Sequence, residues 1–231
     1  MSAWDALQAT DAALLPALVA QQIWLRVGWA VVLAWLALVA VQRVWPAARQ
    51  EARKANAVVA LAILWACAPG TLSLAYWLGL AFQAPSVVTV LLCLGALVRR
   101  RLAFSRQTPP GAQAGMMDRT SLALSVLAVA LGWVLLLDSF ALLPVSLYAW
   151  GFGPAAVGGV ALPALLVVAV WPPRGGRAIW HAALVTMALL LLITLRLPTG
   201  NVWDAVLDPC AWLVLQVGLA LHLWRRYKKR S

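Results

Sequence analysis

Charged side chains are scarce in this chain: Asp, Glu, Lys and Arg make up 11% of its 231 residues, and seven residues are acids. A soluble domain of ordinary composition carries about a quarter charged residues, so this deficit excludes a conventional hydrated exterior. Cysteine is rarer still. Cys67, Cys93 and Cys210 cannot build a disulfide framework, and without a CxxC pair or a Cys/His cluster they outline no zinc site. They read as small apolar residues. Motifs with a known mechanism are also missing. There is no HExxH, no phosphate-cradling glycine loop, no rhomboid-type serine pattern and no ladder of paired histidines for haem. No cofactor is therefore expected. Residues 1–22 lack a basic leading segment and a cleavage site, so no removable signal peptide is expected either.

Long apolar runs are what the chain has in abundance, with 64% hydrophobic residues. They fall at 23–45, 57–80, 86–102, 120–137, 154–171, 178–195 and 210–224. Crossing a bilayer core of about 30 Å takes roughly 20 helical residues, and the shorter runs extend into aromatic and basic flanks. The expected fold is all-α: a polytopic transmembrane bundle of seven spanning helices plus an N-terminal interfacial helix. Residues 1–22 alternate polar and apolar positions, with Asp5 and Asp11 on the wet side, and form the external interfacial helix. Residues 23–102 then hold transmembrane helices one to three, and 120–224 hold helices four to seven. Between them, 103–119 is a cytoplasmic linker rich in Pro, Gly and Gln, and 225–231 is a basic cytoplasmic tail.

Charge distribution sets the expected orientation. Sixteen of the eighteen Lys and Arg residues lie in 43–54, 99–119, 174–177 and 225–230, which this arrangement puts on one side. Arg26 and Arg196 lie on the other, with Asp5, Asp11, Asp138, Asp204 and Asp208. Loops rich in Lys and Arg stay cytoplasmic, which predicts a multi-pass protein of a bacterial-type inner membrane, N-terminus outside and C-terminus inside. The net charge of +11 is thereby accounted for without nucleic acid, for which no base-stacking or groove-reading motif exists. Anionic lipid headgroups at the cytoplasmic face are the expected partners of these bases. Tryptophan, present fourteen times, clusters near the same boundaries, where an apolar ring with one donor belongs.

Three external turns share a grammar of an aromatic, a Gly or Asn, and then a Pro that opens the descending helix: 73–85, 146–154 and 199–209. Convergent helix-start chemistry explains this as well as a parallel internal repeat does. The stretches 77–83 and 140–152 are too apolar for solvated loops and are expected to form short interfacial or broken helices.

No charge falls at mid-membrane, which disfavours proton pumps and ion-coupled carriers. Candidate ligand-binding residues therefore gather on the external face: Arg26, Asp138, Arg196, Asp204 and Asp208. Asp138, Arg196 and Asp204 are expected to approach one another, with Arg26 as a fourth member, because an isolated charge beside hydrocarbon is costly and Arg presents a fork that a carboxylate satisfies. Capping or solvated roles are the default for the acids, since each precedes or ends a helix. His181 and His222 sit at similar depth near the cytoplasmic boundary and are weak candidates for a shared metal or haem site, lacking a carboxylate or thiolate nearby. The segment LPTG at 197–200, an apolar run and a basic tail imitate a cell-wall sorting signal, but the extra residue between Pro and Thr is absent.

Small size, short loops and abundant Gly and Ala favour a non-enzymatic accessory, assembly or scaffold subunit of a membrane complex, partnered by another membrane protein or by a second copy. A carrier for a small or lipidic solute is the first alternative. An enzyme acting on a lipid-linked substrate at the external face is the second.

Overall fold

The computed structural model describes residues 15–45, 51–105, 119–170 and 177–228. Among them the chain is all-helical, with no strand, and it divides into a front unit, Ala17–Gly115, and a back unit, Met116–Ser231 with Met1–Pro16. Two helices are long and apolar enough to cross a membrane: Leu18–Val44, and Arg119–Ser139 with 11% of its most apolar stretch buried. Pro154–Val170 is apolar but shorter, at 17 residues.

In the front unit, α1 (Leu18–Val44) begins just after Pro16 and stops before Pro46, which disfavours helical backbone at the residue preceding it. The interfacial helix expected over 1–22 is therefore not separate at its end, because residues 18–22 already belong to α1; residues 1–14 lie outside the described residues. A second expectation is corrected more substantially. The run 57–80 is not one span: α2 (Ala52–Ala66) ends at Cys67, a 3-10 turn covers Gly70–Leu72, and α3 (Leu74–Phe82) follows. Pro69 supplies no N–H, and Gly70 adopts φ +59, a left-handed conformation that glycine accepts without strain. Hydropathy does not register either event. Buried Ser73 then caps α3, accepting from Tyr76 N–H at 3.3 Å while its hydroxyl donates to Ala66 O. Ser86 caps α4 (Val87–Ser105) by accepting from Thr89 N–H at 3.1 Å.

Packing in this unit depends on the first half of α1. Trp24 and Trp29 donate their indole N–H groups to Pro85 O at 3.1 Å and Gln83 O at 2.8 Å. A Cβ added to Gly28 would stand 2.8 Å from Pro85 Cγ and 3.3 Å from Val90 Cγ2, so the glycine permits this approach. Residues 83–90, which lead into α4, lie against residues 24–29 near the start of α1. Since α2 packs antiparallel beside α1 and returns the chain to that end, α1 and α4 start at the same end and run in the same direction.

The back unit contains two helical hairpins. The first is α5 (Arg119–Ser139), short α6 (Leu147–Trp150) and α7 (Pro154–Val170); the second is α8 (Arg177–Leu195), short α9 (Val202–Val206) and α10 (Pro209–Lys228). Pro154 and Pro209 stand at the first residue of their helices, where a missing N–H costs nothing. In the front unit the equivalent Pro85 lies one residue before the cap. The expectation of short helices in the turns holds for α3, and in part for 140–152, where α6 occupies four residues after an exposed bend. Helices α5 and α10 join through Trp212, whose N–H donates to Val129 O at 3.1 Å and whose ring meets Trp133 edge to face at 5.2 Å. Gly132 leaves room for it, since a Cβ there would lie 2.3 Å from the indole.

Candidate functional site

Apart from Arg196, which follows α8 at the acidic end, the described acids and bases of the back unit lie at opposite helix ends. Asp138 ends α5, Asp204 lies on α9 and Asp208 precedes α10, all at one end, whereas Arg119, Arg225, Arg226 and Lys228 stand at the opposite helix ends. The acidic end is the candidate site, and it is built around one residue that sequence reasoning passed over. Tyr148, on α6, donates its backbone N–H to Asp138 Oδ2 at 2.7 Å and its phenol O–H to Asp204 Oδ2 at 2.8 Å. Thr199 donates a second hydroxyl to the same Asp204 oxygen at 2.5 Å.

Asn201 fastens the two turns together. It is fully buried; its Oδ1 caps α9 by accepting from Trp203 N–H at 2.9 Å, and its Nδ2 donates to Tyr148 O at 2.9 Å. Beside it, Trp203 donates its indole N–H to Leu147 O at 2.8 Å, and Val202 N–H reaches Gly151 O at 2.9 Å. Backbone groups left open by a four-residue helix are thus satisfied by the turn between α8 and α10. Gly151 is required here, since a Cβ would fall 1.9 Å from Asn201 Oδ1 and 2.5 Å from Trp203 Cδ1. Desolvation, then the hydrogen bond and negative charge of Asp204, push the Tyr148 phenol far above its ordinary value, so it remains a proton donor.

Of the residues anticipated for this face, Asp138 and Asp204 are each bound by Tyr148, the first by its backbone N–H and the second by its phenol, rather than by an arginine. Asp208 is nine-tenths buried and caps α10, accepting from Ala211 N–H at 2.7 Å. The anticipated ion pair of Arg196 is not formed with any described residue. Arg196 follows the last turn of α8 with φ 56, and Asp204 Oδ2 accepts instead from the hydroxyls of Tyr148 and Thr199. Arg26 is exposed on α1 and belongs to the front unit. His181 lies on α8 with its side chain outside the described residues, and His222 carries a buried Nε2 without a hydrogen-bond partner. No group of three His, Cys, Asp or Glu side chains suited to a metal ion occurs among the described residues.

The signals that could have revealed Tyr148, Thr199 and Asn201 were slight. Asn201 does stand where an N-cap should, immediately before an apolar run. Chemically, the cluster offers hydroxyl and carboxylate groups that already satisfy one another, which suits a structural knot better than a nucleophile awaiting a base. Comparison with protein-family models, with curated proteins and with solved structures gives no match.

Proposed function

We propose that this chain is an integral membrane protein that serves as a non-enzymatic accessory or scaffold subunit of a membrane complex. One observation carries the reading: each acid of the polar end is engaged in holding local structure, Asp138 and Asp204 on Tyr148 and Asp208 at the start of α10. An enzyme of this size would be expected to leave at least one such group unpaired and aimed at substrate space. Support for membrane residence comes from α5, which is long, apolar, distant from the N-terminus and mostly unburied, unlike the core helix of a soluble protein. Exposed Leu127, Trp133 and Leu137 on that helix have lipid or a protein partner as their natural surroundings.

In this reading α1, α4, α5, α7, α8 and α10 span, α2 makes the remaining crossing with the bilayer thinned around it, and α3 lies at the outer boundary. Fifteen residues of α2 reach about 22 Å, short of a core of about 30 Å. Basic helix ends face the cytoplasm and the Tyr148 knot faces outward. Gly158 and Gly159 on α7, with open space around a built Cβ, give a partner helix a surface of close approach.

Purification of the full chain in mild detergent, with chemical crosslinking in the membrane beforehand, tests the proposal. A partner recovered in constant proportion, or a defined homo-oligomer, supports it; a homogeneous monomer with no crosslinked species overturns it.

A second reading, an enzyme on a lipid-linked substrate at the outer face, draws on the partial exposure of Tyr148. It requires that Tyr148→Phe or Asp204→Asn abolish the cellular phenotype while folding and partner recovery persist.

A further inference from the structure

Bases gather at one end of the front unit, and the direction of its helices brings them there. Arg43 lies in the last turn of α1, Arg53 and Lys54 in the first turn of α2, and Arg99, Arg100 and Arg101 near the end of α4. Since α1 and α4 run the same way and α2 runs back, these six cations share one end although they come from three helices. Glu51 is the single acid between residues 17 and 115, and Lys54 already holds it at 2.9 Å. Among the described residues, the opposite end of the unit carries Arg26 as its one base.

We propose that this basic end is a binding site for the phosphate headgroups of anionic membrane lipids. Arginine is suited to the task because its planar fork grips two phosphate oxygens at once, and five of the six cations are arginines. Arg43, Arg53, Arg99 and Arg101 are exposed, so their forks can reach the headgroup layer. Trp45, at the end of α1 and half-exposed, marks the depth: its ring sits under Lys54 Nζ at 4.6 Å, an arrangement of apolar body and polar rim that belongs at the lipid–water boundary. Bases spread over three helices would make bound lipid a clamp across the unit. A detergent that strips such lipid would therefore loosen the front unit from its basic end.

The inference rests on the membrane reading above, and the two fail in different ways. Full-length chain in neutral detergent is titrated with phosphatidylglycerol or phosphatidylcholine, following lipid adducts by native mass spectrometry and the melting temperature in parallel. Phosphatidylglycerol should be retained and should raise the melting temperature, and 1 M salt should weaken both effects. Removing two charges in Arg99→Gln with Arg101→Gln should lower its affinity on the order of tenfold or more, and Arg43→Gln with Arg53→Gln should do the same if the first pair folds poorly. Arg26→Gln should change nothing. Equal retention of the two lipids, an equal loss with Arg26→Gln, or equal stabilisation by inorganic phosphate at matched concentration would each overturn the site. Alkaline carbonate washing of membranes separates the cases. A chain released by carbonate fails the membrane reading, whereas a chain that stays but ignores headgroup charge fails only this inference.

Discussion

The phenol of Tyr148 donates to Asp204 Oδ2 at 2.8 Å across 56 residues of chain, and this bond ties the turn of one helical hairpin to the turn of the next. Thr199 donates to the same oxygen, so Asp204 organises two hydroxyls from two segments. Removal of the phenol in Tyr148→Phe leaves Thr199 in place and should cost about 1 kcal/mol, the usual net value of one such bond. Asp204→Asn disturbs both bonds and should cost more. Thermal unfolding in detergent reads each value, and the double variant should lose less than the sum of the singles, because both changes break the same contact. Strict additivity would mean that the bond contributes nothing.

Two glycines separate steric need from mere presence. Gly151→Ala sets a methyl group against Asn201 Oδ1 and Trp203 Cδ1, so the turn between α8 and α10 must lift from α6. Overpacking of this kind costs about 1–3 kcal/mol, with lost hydrogen bonds of Asn201 and Trp203 added to it. Gly158→Ala, with open space around the new methyl, should be neutral or slightly stabilising in the isolated chain because alanine favours helix. In the membrane the same change should reduce crosslinking if α7 is the face a partner uses. Equal melting temperatures for Gly151→Ala and the unaltered chain would contradict the packing of the knot.

The raised Tyr148 value sets a pH dependence of definite sign. Its folded-state value lies above that of the unfolded chain, so the contribution to stability is complete below about pH 10, the ordinary phenol value, and declines as pH rises beyond it. Alkaline denaturation should therefore begin above that point, and Tyr148→Phe should flatten this part of the curve. Ultraviolet titration of phenolate should show a late-ionising tyrosine in the unaltered chain that is missing from Tyr148→Phe. Ionisation of Tyr148 at the ordinary phenol value would show that Asp204 and desolvation do not act on it.

Helix positions were legible in the sequence because apolar length and helix-start residues are local signals. Pro154 and Pro209 opened their helices where expected, and Asp208 took the capping role its place before a proline suggested. The run 57–80 misled because hydropathy averages over Pro69 and Gly70, which break the backbone without lowering apolarity. Long-range polar pairing was not legible. Opposite charge pointed to Arg196 as the partner of the acids, yet the protein satisfies Asp204 with neutral hydroxyls from Tyr148 and Thr199. Nothing in the periodicity of either segment encodes a contact between residues 148 and 204.

Orientation in the membrane gives the last test. Cys67 is exposed just beyond the end of α2 that is remote from the basic residues, and Lys228 ends α10 at the basic end of the back unit. With Cys93→Ser and Cys210→Ser in place, Cys67 becomes a single reporter thiol. In intact cells a membrane-impermeant maleimide should label Cys67, because the proposed topology puts that turn at the outer boundary. Replacing Cys67 with Ser and introducing Lys228→Cys should give a chain labelled only after permeabilisation. Labelling of the Lys228→Cys chain in intact cells would place Arg225 and Arg226 outside. Two adjacent arginines and the basic tail beyond them would then have crossed the membrane against the rule that holds such segments in the cytoplasm, and the assignment of every span would have to be inverted.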